Sequence, residues 1–98
     1  MEELGEIYKG MESDFSCYPL KGGVRDDSIP VSVVAENVSG VSNQEAYLAY
    51  IKITNKGNGK FEVKVDNSNM TYKTFDLVAS VDGYEAETRQ TVKVVPFF

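Results

Sequence analysis

From Phe15 onward, apolar and polar residues alternate along the chain. Val31, Val33 and Ala35 interleave with Ser32, Val34 and Glu36, and Ala49, Ile51 and Ile53 with Tyr50, Lys52 and Thr54. Phe61, Val63 and Val65 interleave with Glu62, Lys64 and Asp66. Phe75, Leu77, Ala79 and Val81 do so with Asp76, Val78, Ser80 and Asp82, and Val92 and Val94 with Thr91, Lys93 and Val95. Successive side chains on a strand point to opposite faces, so each run predicts a strand with one dry face and one wet one. Valine, isoleucine, threonine and aromatics, which suit a pleated surface, dominate the runs.

Turn-forming residues separate them: Gly22-Gly23, Asp26-Asp27, Ser39-Gly40, Gly57-Asn58-Gly59, Asp66-Asn67-Ser68-Asn69 and Asp82-Gly83. Short strands at this spacing, with no convincing helix among them, predict an all-β antiparallel sandwich, immunoglobulin-like or transthyretin-like, of about six or seven strands. The stretch ITNKGNGKFEVKV, Ile53 to Val65, has the composition of a basic, glycine-rich ligand loop. A phosphate loop feeds a helix N-terminus, whose amides and dipole hold the anion. This one feeds an alternating strand, so it reads as a hairpin turn.

Residues 1–14 break the pattern. Leu4, Ile7, Tyr8 and Met11 fall at the spacing of one helical face, with Glu2, Glu3 and Glu6 early and Lys9 later. They predict a leader or short helix over 1–14, with the β-sandwich domain spanning 15–98. Gly5 and Gly10 each weaken such a helix by about 1 kcal/mol against alanine. Pro96-Phe97-Phe98 ends the sequence with two aromatics outside the strand pattern.

Charge and composition narrow the partners. Ninety-eight residues suit one domain, and 15 acidic against 10 basic residues give a net charge of −5. Lysines alternate with acids and form no patch, which argues against nucleic acid. No apolar run approaches the ~18 residues of a membrane span. Lys52, Lys60, Lys64 and Lys93 on polar faces are expected to discourage edge-to-edge pairing of strands.

The chemistry-bearing residues are few. With no histidine and one cysteine, Cys17, neither a Cys–His pair nor an intrachain disulfide can form. Cys17 reads as a small buried hydrophobe. The run Asp66 to Thr71 superficially suggests a calcium loop, but Thr71 and Leu77 stand where glycine and glutamate are needed. An Asx-rich turn is the better reading. Two sequons, Asn37-Val38-Ser39 and Asn69-Met70-Thr71, make Asn37 and Asn69 candidate glycosylation sites in loops. Tyr47, Tyr50, Tyr72 and Tyr84 fall at strand ends or in loops. There a ring can hold a sugar or peptide, or cover a small core with its hydroxyl wet; the covering role is favoured. No catalytic residue, cofactor or metal ligand is indicated.

The order of these pieces carries a resemblance. LKGGVRDDSIPVSVVAEN resembles the opening of carboxypeptidase regulatory-like domains, transthyretin-like β-sandwich modules with a glycine-valine strand, a polar turn and a proline-led strand. KITNKGNGKFEVKV is similar to their threonine-bearing segment, glycine turn and G-x-F-x-V strand. FDLVASVDGYEAETRQTVKVV is similar to the following strand, its Gly-Tyr end at Gly83-Tyr84, and the last valine-rich strand. The resemblance implies a non-catalytic spacer, adhesion or docking module of a secreted or cell-surface protein. Its expected partners are neighbouring domains or another protein. Two alternatives stand beside it: a carbohydrate- or peptide-binding module using the tyrosine rim, and a viral or phage structural protein.

Overall fold

The computed structural model describes residues 1–81 and 87–96. Among these the elements run β1 (Glu6–Tyr8), β2 (Ser13–Ser16), β3 (Leu20–Lys21), β4 (Val24–Arg25), β5 (Val31–Glu36), α1 (Gln44–Leu48), β6 (Ile51–Gly57), β7 (Lys60–Val65), β8 (Thr74–Val81) and β9 (Glu87–Val95). A 3-10 turn, Ser68–Met70, lies between β7 and β8. One sheet has the order β1-β9-β8-β5 and the other β2-β7-β6, while β3 and β4 form a separate hairpin. Every pairing is antiparallel except β1 with β9, where Ile7 lies opposite Val94. The chain is an all-β sandwich.

The alternation read from the sequence sets the dry interior. Phe61, Val63 and Val65 from one sheet and Phe75, Leu77, Ala79, Val92 and Val94 from the other join Ile7 and Phe15 in one buried cluster. The Phe15 and Phe61 rings stack at 5.7 Å between centroids. Val78 departs from the pattern. It sits on the supposedly wet face, yet is buried outside the main cluster. Its cross-strand neighbours are Val34 and Arg89. The Arg89 guanidinium is held by Glu36 at 2.9 Å, Glu87 at 3.2 Å and Asp76 at 3.4 Å. A tethered arginine can cover apolar surface with its stem while its head stays wet.

The first fourteen residues form no helix. Gly5 and Gly10 take φ of 70° and 81°, outside helical space, and leave too short a run between them. Residues 6–8 instead become β1, which buries Ile7 completely. The Lys9 N–H donates to Val95 O and the Gly10 N–H to Val65 O, so this segment ties the two sheets together.

A second correction concerns the stretch before β6. Ala49 and Tyr50 precede the strand, which starts at Ile51, and Gln44–Leu48 is a five-residue helix. Asn43 caps it by accepting the Ala46 N–H at 3.2 Å. Asn followed by Gln-Glu-Ala was the available signal.

The turn in ITNKGNGKFEVKV is a hairpin, as expected. Gly57 pairs with Lys60, leaving Asn58 (φ 55°) and Gly59 (φ 75°) as a two-residue loop of the kind that needs positive φ at both places. The expected Asx turn is present too, since Asn67 Oδ1 accepts the Asn69 N–H at 2.9 Å. The Asp82-Gly83 turn and Phe97-Phe98 lie outside the described residues.

Candidate functional site

Strand register assigns each described loop to one end of the sandwich. At the first end β5 and β9 finish, β6 begins opposite Val65, and α1 bridges the two sheets. Val38 and Met70 plug the space between the layers, buried to 3% and 0% exposure. The Gln44 carboxamide donates to Val38 O and Val41 O and accepts the Val38 N–H, all within 2.9 Å. Ser39 and Thr74 exchange two more bonds, Ser39 N–H to Thr74 O and Thr74 N–H to Ser39 Oγ.

This first end holds most of the residues singled out from the sequence. Tyr47 and Tyr50 meet edge to face at 5.7 Å and pack partly buried against the core. Lys73 Nζ lies 5.8 Å from the Tyr47 ring centre. Tyr72 is 64% exposed at φ 66°, with its N–H donating to Val94 O. Asn37 and Asn69 are both exposed. Asn37 Nδ2 donates to Asp76 Oδ2 at 3.2 Å. Tyr84 lies outside the described residues.

The opposite end was not anticipated as a site. Here β2 and β8 finish, and the β3–β4 hairpin stands apart from both sheets. Tyr18, Leu20 and Val24 are exposed there, Leu20 to 61% and Val24 to 68%. Among the described residues, grooves of about 160, 270 and 510 Å³ meet at Cys17. The smallest runs between Pro19, Ile29, Pro30 and Val31 on one side and the Asn55–Gly59 turn on the other. The glycine turn therefore borders a cavity.

Arg25 organises this end. Its Nη2 donates to Asn58 O at 2.6 Å and its Nε to Asp27 Oδ1 at 2.6 Å, and its guanidinium lies 4.6 Å from the centre of the Tyr18 ring. It thus latches the hairpin to the β6–β7 turn. Asp26 closes the following turn by accepting from Ser28 N–H and Oγ–H, which hold its carboxyl below the usual range. Cys17 is buried, as expected, and burial pushes its thiol up. Such a thiol is a poor nucleophile at neutral pH.

Among the described residues, no group of three His, Cys, Asp or Glu side chains is placed to hold a metal ion. No helix among them is long and apolar enough to cross a membrane. Comparison with family models, curated proteins and solved structures gave no match.

Proposed function

We propose that this chain is a non-catalytic β-sandwich module of a secreted or cell-surface protein, acting as a spacer, adhesion or docking unit. The observation that carries the reading is the contrast between what is buried and what is exposed. Every buried side chain among the described residues is apolar or Pro19, while Tyr18, Leu20 and Val24 stand exposed around grooves at one end. Catalytic sites concentrate shifted titratable groups in clefts. Here Lys56 and Arg89, both raised by hydrogen bonds to surface carboxylates, belong to ion-pair ladders on the outer faces. Asp26 is lowered by Ser28 within an exposed turn, and Cys17, which does line the grooves, is pushed up by burial, towards the unreactive thiol. Exposed apolar groups rimmed by polar ones are the mark of a contact surface.

The sheet order supports the immunoglobulin-like form of this reading. Setting the small hairpin aside, the second, fifth and fourth strands share one sheet and the third, sixth and seventh share the other, as in that architecture. The carboxypeptidase regulatory-like resemblance supports the same non-catalytic role.

The encoding gene, read in full, tests the proposal: neighbouring domains or a secretory leader are expected. A leaderless reading frame of this length would count heavily against it. Glycan titration followed by NMR separates the carbohydrate alternative, which needs saturable shifts at Tyr47, Tyr50, Tyr72 or Tyr84. The packing of Tyr47 and Tyr50 against the core supports the covering role instead.

A further inference from the structure

Among the described residues the sandwich has four outer strands, β1 and β5 in one sheet and β2 and β6 in the other. An outer strand offers unpaired N–H and C=O groups to any second chain, and proteins blunt such edges. Three of the four are blunted. β1 has only three residues, between turns at Gly5 and Gly10. β2 is capped at Ser16, whose N–H donates to Glu2 Oε1 and whose O accepts the Glu2 N–H. β6 carries Lys52 and Lys56 and breaks register between Asn55 and Gly57. Of the lysines expected to guard edges, Lys60, Lys64 and Lys93 sit on the inner strands β7 and β9.

β5 has none of these devices. It runs Val31-Ser32-Val33-Val34-Ala35-Glu36 in unbroken register with β8. No backbone bond to its outer side is made among the described residues. Its open edge is sharply bounded, by Pro30 before it and by Val38 after it, whose N–H and C=O are both taken by Gln44. Its one charge, Glu36, is already paired with Arg89.

We infer that β5 is a self-association edge, pairing antiparallel with β5 of a second copy about a twofold axis at Val34. The strand's polarity pattern is self-complementary, which fits a second copy as occupant, and it selects the register. Directly opposed residues share a face, so inward residues must meet inward ones. With the axis at Val34, Val34 meets Val34 of the second copy and Ser32 meets Glu36, while Val33 meets Ala35 on the inner face. The pairs formed by residues 32–36 then match in polarity, and the Ser32 hydroxyl can donate to the Glu36 carboxylate, while Val31 falls opposite Asn37, which at φ 55° lies past the strand end and outside the ladder. With the axis at Val33, Ser32 would oppose Val34, and Pro30, which lacks an N–H, would oppose Glu36. The pairing also covers Val34, which is 49% exposed beside the buried Val78. Such an isologous contact joins the two four-stranded sheets into one continuous sheet. The ladder is short, so the dimer is reversible and concentration-dependent.

The test is sedimentation equilibrium of the whole chain over a wide concentration range, with amide exchange at the lowest and highest concentrations. A monomer–dimer equilibrium is expected, with β5 amides slowing at high concentration. Val34→Lys sets two like charges face to face and is expected to weaken the dimer at least about tenfold. Should that variant fail to fold, the concentration dependence of exchange in the unchanged chain decides alone. A monomer at every concentration overturns the inference. So does a dimer that survives Val34→Lys or leaves β5 exchange unchanged, and so does a monomer that takes up only another protein's strand along β5.

Discussion

At the end capped by α1, the core is sealed by its own chain: Val38 and Met70 fill the gap, and Gln44 satisfies the backbone around them. At the other end nothing comparable is inserted among the described residues. A two-stranded hairpin lies against a glycine turn, held by the exposed Arg25 through Asn58 and Tyr18, beside grooves that meet at Cys17. The first arrangement buries apolar volume and satisfies backbone groups away from water, where each loss is expensive. The second is made of exposed polar contacts, which are worth little in water. The contrast assigns stability to the capped end and adaptable surface to the open one.

Substitutions can break that contrast, and Met70→Ala at the capped end is expected to have the largest effect. It empties a fully buried site and is expected to lower unfolding free energy by about 2–5 kcal/mol in urea titration. Gly59→Ala follows, at about 1–3 kcal/mol. Its φ of 75° strains any Cβ, and that atom would lie 3.1 Å from Tyr18 Cβ and from Arg25 Nη2. Gly57→Ala has the same backbone strain but open space around it, and should cost less. Gln44→Ala leaves the Val38 and Val41 backbone groups without their partner, for about 1–2 kcal/mol.

Arg25→Ala and Leu20→Ala at the open end should change stability least, within about 0.5 kcal/mol. Arg25→Ala is nevertheless expected to speed Cys17 labelling by a thiol reagent, because the latch over that end is gone. Equal labelling rates would show that Arg25 does not control access.

Cys17 adds a pH signature. Its folded pKa is raised by burial, so the unfolded chain loses the thiol proton first as pH climbs. This contribution to stability is complete below the ordinary thiol range and is lost as pH rises from there through the folded value. Cys17→Ala should flatten that alkaline decline in urea midpoints measured across the range.

Much of the fold was legible in local pattern. The runs at 31–36, 61–65 and 75–81 became β5, β7 and most of β8, because a period of two admits one burial face and each run is long enough to state it. The Asn58-Gly59 turn was legible for a similar reason, since few residues tolerate positive φ. Residues 1–14 misled, because four apolar residues at helical spacing cannot reveal that β9 lies waiting as a parallel partner. Tyr50 and Tyr72 lie outside the strands as expected, whereas Tyr47 sits within α1, which the alternation did not predict, and nothing local says which end stays open. Arg25 was missed entirely: Asn58, its partner, is 33 residues away.

The sequence by itself determined the all-β class, the hairpin turns and which face of most strands is dry. Those properties depend on side-chain alternation and on φ preferences within a few residues. Only the tertiary structure decided that Ile7 belongs to the core, that Arg89 stands across from a buried Val78, and that β5 is left, among the described residues, as the unguarded edge. Each of these rests on which strands become neighbours. That pairing is a long-range choice, and neither alternation nor turn chemistry encodes it locally.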